Sequence, residues 1–455
     1  MTTTRRDFLL STGAAGLGAG LAAHPALRAL TPSAPKKPRT LVSIYLRGGA
    51  DWLNMIIPYR DSRYLAARPT LALTPEDGVV ELTDGFGLHP ALAPLGPWFE
   101  KKTWAPVLDV GSPHPTRSHF DAMDFMEYAA PGLRTIRDGW LNRFLQAQAE
   151  KRRGGDNDSE FRALAMQDLL PRSLRGRYPV LAVPLSLSRR QADVTLRRFE
   201  EFYGDGLTDN MRQRLKEKLG QAEGAESGDP GEMPAGMDAS EAERRFEEEL
   251  RRREEQDRVL QSGRQTIATL RRFQEILDTT ANSPDAVYPN TRFGGQMKKI
   301  AQVIRADAGL EICGVDYNGW DHHAGQGALD GRHAVMLDDF ARSMDAFLTD
   351  LEERLENLLV IVMTEFGRTV KENGNSGTDH GRGGGMFLFG GGVRGGDILG
   401  EWRGLDPAVL ADGRDLPVAV DFRDVMAATL EHAFDFDLPK DFFPDYKPKR
   451  VRLFR

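Results

Sequence analysis

One apolar run in the second half of the chain restricts the fold more than any other feature. Residues 358–363 read Leu-Leu-Val-Ile-Val-Met within a predicted strand at 357–364, and such a run is typical of a strand buried on both faces of a sheet. Further strands are predicted at 40–46, 104–110, 178–183, 310–315 and 386–389. Helices are predicted from Ser118 onwards, at 332–355 and at 421–434. This alternation predicts an α/β fold in which a mostly parallel sheet is sandwiched by helices.

Residues 1–30 have the features of a twin-arginine secretion signal. Arg5 and Arg6 lie in the pattern Thr-Arg-Arg-Asp-Phe-Leu, and an apolar stretch rich in Gly and Ala follows at 9–23. That stretch is too short and too weakly hydrophobic for a stable membrane span. We therefore expect the twin-arginine translocase as a partner, and export to the periplasm or the extracellular space. A linker at 31–39 leads to the predicted mature domain at 40–455.

Composition excludes some classes of function and of stabilisation. The formal net charge of -7 argues against a general nucleic-acid binder. With a single cysteine, Cys313, the chain cannot form an internal disulfide, so its stability outside the cytoplasm must come from packing, to which a bound metal can add.

A polar insertion interrupts the predicted domain at 215–277. Its first part, up to residue 239, is rich in Gly, Glu and Pro and buries too little apolar surface to offset the entropy of ordering, which predicts a mobile loop. The remainder, 240–277, alternates acidic and basic residues and is predicted to be a solvated, charged helix.

Carboxylates and imidazoles follow several predicted strands. In open α/β sheets, functional groups collect beyond the carboxyl ends of the strands. Such a mixed set of oxygen and nitrogen donors suits a divalent metal, with zinc favoured and calcium, magnesium or manganese as alternatives. Ser118, at the predicted start of a helix, adds backbone N–H groups that suit an anionic substrate.

Five motifs, in order along the chain, resemble the domain of unknown function 1501 family, which itself resembles the alkaline phosphatase and sulfatase superfamily. They are Arg47-Gly-Gly-Ala-Asp-Trp-Leu-Asn54, Arg117-Ser-His-Phe120, Gly319-Trp-Asp-His-His323, Thr364-Glu-Phe-Gly-Arg-Thr369 and Gly377-Thr-Asp-His-Gly381. The resemblance implies an alkaline-phosphatase-like core that binds one or two divalent metals.

The same resemblance implies roles for individual residues. Ser118 takes the position of the nucleophile. The implied metal ligands are Asp51, Asp321, His323 (or His322), Glu365 and His380. Further supporting residues or additional ligands are His119, His322, Asp379 and Arg382. As alternatives, Asp51 is a turn residue, Ser118 is only a helix cap, and Glu365 forms a structural ion pair with Arg368 or Arg382.

Two departures from the superfamily pattern leave the function open. Phe366 stands where phosphatases have a ligand histidine, and Glu365 is longer than the aspartate expected there, so one metal site is depleted. Reading Asp379-His380 as the paired motif instead is disfavoured because no buried strand precedes it. The sequence favours an exported metal-dependent hydrolase of phosphate or sulfate esters. The alternatives are a non-catalytic envelope protein that retains the fold and, less favoured, a metal-dependent isomerase or mutase.

Overall fold

The computed structural model of this protein describes residues 39–151, 159–184, 251 and 265–455. The predicted signal peptide, with Arg5 and Arg6, therefore lies outside the described residues. Of the predicted insertion at 215–277, only residue 251 and residues 265–277 are described, and they are helical. The mobile loop predicted at 215–239 is outside the described part and stays a prediction.

A nine-stranded sheet forms the centre of the fold, with strand order β11-β5-β10-β9-β1-β8-β6-β7 and β12 paired to β5. Its strands are β1 Thr40–Arg47, β5 Trp104–Gly111, β6 Ala163–Ala165, β7 Leu181–Ala182, β8 Ile312–Asn318, β9 Leu358–Met363, β10 Gly384–Phe389, β11 Leu399–Gly400 and β12 Val420–Asp421. A second sheet has the order β2-β4-β3, with β2 Ile56–Ile57, β3 Val80–Thr83 and β4 Phe86–Leu88.

Helices cover both faces of the central sheet. The α-helices named in chain order are α1 Ser62–Ala67, α2 Gly96–Glu100, α3 His119–Glu127, α4 Trp140–Lys151, α5 Arg292–Arg305, α6 Arg332–Asp350 and α7 Phe422–Phe434. Short 3-10 turns occupy Trp52–Asn54, Pro75–Asp77, Pro90–Leu95, Arg172–Leu174 and Glu352–Asn357. Residues 265–279 are also helical. None of the helices in these ranges is long and apolar enough to cross a membrane.

The apolar run in β9 is buried on both faces, as predicted. Val360 and Val362 pack into a core that includes side chains of α5 and α6. Leu359 and Ile361 point the opposite way, into a second core built with α4 and α7. Because consecutive side chains of a strand alternate between faces, only a continuous apolar run can fill both cores. The mixed α/β architecture with a mostly parallel sheet is confirmed.

Four details differ from the sequence-based expectation. The strand predicted at 178–183 shrinks to the two residues of β7, and the helix predicted to reach residue 355 ends at Asp350 before a 3-10 turn. The small sheet formed by β2, β3 and β4 was not predicted, because its strands have no long apolar run. In addition, β10 is antiparallel to both of its neighbours, β5 and β9.

Strand direction places the ends of several strands at one edge. β1 is parallel to β8 and to β9, and β5 shares their direction because both β5 and β9 are antiparallel to β10. The loops that follow β1, β5, β8 and β9 therefore leave the sheet at the same edge. The start of β10 lies there too, so the segment just before it joins these loops.

Candidate metal centre

Three side chains from different loops converge at this edge. The ligand atoms of His119, Asp321 and His380 all lie within 4.8 Å of one another. The Nε2 atom of His119 is 3.3 Å from Oδ2 of Asp321, and Nε2 of His380 is 3.2 Å from Oδ1 of the same carboxylate. His119 is the first residue of α3, beyond β5, whereas Asp321 follows β8 and His380 precedes β10. The topology of the sheet brings them together.

His323 adds a third imidazole to this group. Its Nε2 atom lies 3.0 Å from Oδ1 of Asp321 and 2.8 Å from Nε2 of His380. Two imidazole nitrogens at this separation either share one proton or direct their lone pairs at a common ion. We call His119, Asp321, His323 and His380 the metal cluster. Asp321 and His323 are exposed and the other two are half-buried, so the cluster is accessible from solvent.

The outer nitrogens of the three histidines are held by other groups. Nδ1 of His119 lies 2.8 Å from Oε1 of Glu365, and Nδ1 of His323 lies 3.1 Å from Oδ1 of Asp379. Nδ1 of His380 lies 2.8 Å from the carbonyl oxygen of Arg117. A proton on each Nδ1 atom satisfies these acceptors and leaves Nε2 free to bind a metal, which is the usual arrangement around metal-binding histidines.

Charge in the cluster is set by Arg368 and Glu365. Burial opposes ionisation of Asp321, but the hydrogen bond and charge of Arg368 outweigh it and lower the pKa of Asp321 to about 2. The hydrogen bond to Glu365 raises the pKa of His119, whereas burial lowers the pKa of His380. The cluster thus keeps an ionised carboxylate across the physiological range.

Arg368 also ties the loop after β1 to the cluster. Its guanidinium donates to Oδ1 of Asp321 at 2.5 Å, to the Gly49 carbonyl at 2.6 Å and to the Gly48 carbonyl. Both glycines have positive φ, at 125° and 75°. A Cβ on Gly48 would lie 2.5 Å from the backbone nitrogen of Asp321, and one on Gly49 would lie 2.6 Å from the Phe366 ring. Only glycine permits this close approach.

The donor set fits a divalent metal. His119 Nε2 is buried and has no hydrogen-bond partner in the described part of the chain, although it lies close to the Asp321 carboxylate. Three imidazoles and one carboxylate match the nitrogen and oxygen ligands of zinc. The Phe366 ring forms an apolar wall, with its centroid 4.9 Å from that of His119 and 4.8 Å from that of His380.

A model of one protein family matches residues 89–445, which is well over half of the chain; its description is "Protein of unknown function (DUF1501)". The chain belongs to the DUF1501 family. The DUF1501 match includes all four residues of the metal cluster but begins after the Gly48-Gly49 turn. No curated protein sequence shows significant similarity to this chain.

A solved structure similar to this DUF1501 protein is the C-terminal periplasmic domain of EptC from Escherichia coli, in complex with zinc. The two share 10% sequence identity with a TM-score of 0.32, over 78% of this chain and 73% of the other.

Asp51 is not part of the metal cluster in this DUF1501 protein. Both of its oxygens accept hydrogen bonds from the buried Arg68, at 2.6 and 2.9 Å, and Gln326 donates to one of them at 2.6 Å. None of the hydrogen bonds and ion pairs of the described residues joins Asp51 to the cluster. Asp51 is thus a buried ion-pair partner of Arg68, and its implied role as a metal ligand stays a prediction.

The remaining predicted residues surround the cluster in different ways. His323, and not His322, reaches Asp321; His322 is buried, and neither of its ring nitrogens has a hydrogen-bond partner among the described residues. Glu365 contacts Nδ1 of His119, and Asp379 contacts Nδ1 of His323. Arg382 donates to the Pro113 carbonyl at 3.2 Å, in the loop after β5.

The DUF1501 motifs predict the helix position of Ser118 but not the ion-pair partner of Arg368. Ser118 is the N-cap residue of α3, as predicted, and its exposed side chain makes no capping hydrogen bond. It lies between Arg117, whose carbonyl oxygen contacts His380, and His119, which belongs to the cluster. The sequence offers Arg368 as an ion-pair partner of Glu365, whereas in the structure Arg368 pairs with Asp321. The Thr364–Thr369 motif marks this segment without indicating that partner.

Proposed function

We propose that this protein is an exported, metal-dependent hydrolase of phosphate or sulfate esters. The observation that carries the proposal is the convergence of His119, Asp321, His323 and His380 at the carboxyl edge of the sheet, open to solvent. An alkaline-phosphatase-like arrangement of the core, as the motifs imply, belongs to the same proposal. The Arg5-Arg6 pattern supports export through the twin-arginine translocase.

The four residues of the metal cluster would hold a divalent ion, with zinc favoured. When bound, such an ion supplies positive charge that activates a hydroxyl group or water and neutralises an anionic ester. Glu365, Asp379 and the Arg117 carbonyl orient the histidines through their Nδ1 atoms.

Ser118 is the nucleophile in this proposal. Its hydroxyl group loses its proton to solvent, and the oxygen forms a bond to the phosphorus or sulfur atom as the bond to the leaving alkoxide breaks. The alkoxide takes a proton from solvent and leaves as the alcohol. Water then hydrolyses the seryl ester, which releases phosphate or sulfate and restores the hydroxyl group. The start of α3 assists because its first N–H groups have no partner within the helix and attract an anion.

The proposal is tested with the purified, exported protein, stripped with EDTA and reloaded with zinc. Hydrolysis of an aryl phosphate or an aryl sulfate should appear only with metal and should be abolished by Ser118→Ala. Ser112→Ala is a matched control, because its hydroxyl lies in the same loop and, among the described residues, accepts a hydrogen bond only from the backbone N–H of His114. If the zinc-loaded protein turns over neither ester, the hydrolase proposal is refuted.

Two observations favour a second candidate, a non-catalytic metal-binding protein that assembles or anchors other exported components. Among the described residues, no hydrogen bond joins the Ser118 side chain to the cluster, and Phe366 replaces a polar ligand beside it. This candidate predicts stoichiometric metal without turnover of either ester. Metal analysis combined with partner pull-down from the exported fraction would distinguish the two.

A further inference from the structure

We propose that the metal cluster binds a single ion per chain, and that Glu365 is a positioning residue for His119 and not a ligand of a second ion. The inference rests on the metal binding in the proposed function, but it does not depend on ester hydrolysis. It differs from the sequence-based implication, in which Glu365 was a ligand and one or two metals were expected.

The first argument is that the Glu365 oxygen beside His119 already accepts two hydrogen bonds. Its Oε1 atom accepts from the Gly48 backbone N–H at 2.9 Å and from Nδ1 of His119 at 2.8 Å. The hydroxyl oxygen of Thr364 lies 3.1 Å from Oε2, but it is closer to the Leu46 carbonyl oxygen, at 2.7 Å, and donates its single proton there. A carboxylate oxygen has two lone pairs, so Oε1 has none left for a metal. Glu365 is only 1% exposed, which leaves it little room to turn elsewhere.

The second argument is what Glu365 does to His119. An ionised carboxylate facing Nδ1 favours the tautomer with its proton on that atom, and the lone pair is then on Nε2. Nε2 is the atom that faces Asp321, at 3.3 Å, and it is buried without a hydrogen-bond partner among the described residues. Glu365 therefore favours the tautomer of His119 in which Nε2, the nitrogen that faces the cluster, carries no proton.

The third argument is that the positions from which a second ion would take donors are occupied. Phe366 lies against both His119 and His380 and offers only an apolar ring there. Asp51, the other carboxylate implied as a ligand, is paired with Arg68 on both oxygens. A second divalent ion beside the cluster would find no donor at Phe366 or Asp51 and would also face the positive charge of Arg368, which contacts Asp321.

Metal binding alone tests the proposal. The chelator-stripped full-length protein is titrated with zinc against a chromophoric competitor, and bound zinc is counted by elemental analysis after gel filtration. We expect one zinc per chain in the wild type. Glu365→Gln should still bind one zinc but with an affinity about 10- to 100-fold lower, which is the usual effect of losing such a partner. His119→Ala should weaken binding further, because a ligand itself is lost.

Glu127→Gln is the matched control, since Glu127 is also a buried carboxylate. It pairs with Arg47 at 3.0 and 3.1 Å and has no contact with the cluster among the described residues. This variant should lose thermal stability. Its zinc affinity should stay within about twofold of the wild type, because Glu127 does not position any residue of the cluster. Cobalt loading adds a spectroscopic measurement: the visible bands should change in Glu365→Gln and stay unchanged in Glu127→Gln.

Three results would overturn the inference: two zinc ions per wild-type chain that fall to one in Glu365→Gln, unchanged affinity in Glu365→Gln, or equal weakening in both glutamine variants. A protein that binds one zinc, binds it more weakly in Glu365→Gln and hydrolyses no ester would support the inference while refuting the hydrolase.

Discussion

Replacement of Arg68 by methionine should destabilise the protein by about 3–5 kcal/mol at pH 7.5, the usual cost of removing one partner from a buried ion pair. The Arg68 side chain is 0% exposed and the Asp51 side chain 3%. The guanidinium donates twice to Asp51, once to Asn54 and once each to the carbonyls of Thr369 and Val370. Methionine fills similar volume but leaves the carboxylate buried without its counter-ion.

This destabilisation should shrink as the pH falls. Burial alone would raise the pKa of Asp51, but Arg68 outweighs burial and lowers it. The pair therefore stabilises the folded state above the pKa of the unfolded aspartate, about 3.9, and this contribution is lost as the pH falls through the lower folded pKa. Without Arg68, burial dominates and the pKa rises. The variant can then relieve its unpaired charge by protonation, so the difference from the wild type should be smaller at pH 5 than at pH 7.5.

The assay is urea unfolding followed by circular dichroism, with the free-energy difference taken from the midpoint shift and the slope. The double variant Asp51→Asn with Arg68→Met should be more stable than the sum of the two single changes predicts, by about 0.5–3 kcal/mol. Zinc content of Asp51→Asn should equal that of the wild type. A cost below about 1 kcal/mol for Arg68→Met, or loss of zinc in Asp51→Asn, would refute the reasoning and restore Asp51 as a ligand.

Three further predictions follow from the site and its supports. Gly48→Ala should lower both stability and zinc affinity, because the added Cβ would lie 2.5 Å from the Asp321 backbone nitrogen and position 48 has a φ of 125°. Thermal melting and zinc titration measure the two effects, and equal melting temperatures of the variant and the wild type would contradict the prediction. Zinc at about 1,000 times its Kd should stabilise the stripped protein by about 4 kcal/mol in urea unfolding, and Asp321→Ala should remove this effect. Burial raises the pKa of Asp109 to about 7, so its ionisation opposes folding and stability should rise as the pH falls from 8 towards 4. Asp109→Asn should therefore be more stable than the wild type at pH 8, by about 1–3 kcal/mol, and should lose that advantage at pH 4.

Local sequence was sufficient for the main elements of the sheet. The unbroken apolar run at 358–363 requires cover on two faces, and the structure provides two separate cores for it. The start of α3 was predictable because Ser118 and Asp121 are typical of the first turn of a helix. Such signals depend on neighbours along the chain, so they can be recognised without knowing the tertiary structure.

The sequence also indicated most of the cluster, since Asp321, His323 and His380 follow or precede strands that end at one edge. It did not determine which nitrogen or oxygen atoms of these side chains contact one another. His119 faces the cluster, and Glu365 lies behind it, because α3 and the end of β9 are brought together across 246 residues of chain. Asp51 follows a strand end like the others, yet both of its oxygens accept hydrogen bonds from Arg68. Contacts between residues so far apart depend on strand order and helix packing, and for this reason only the tertiary structure decided them.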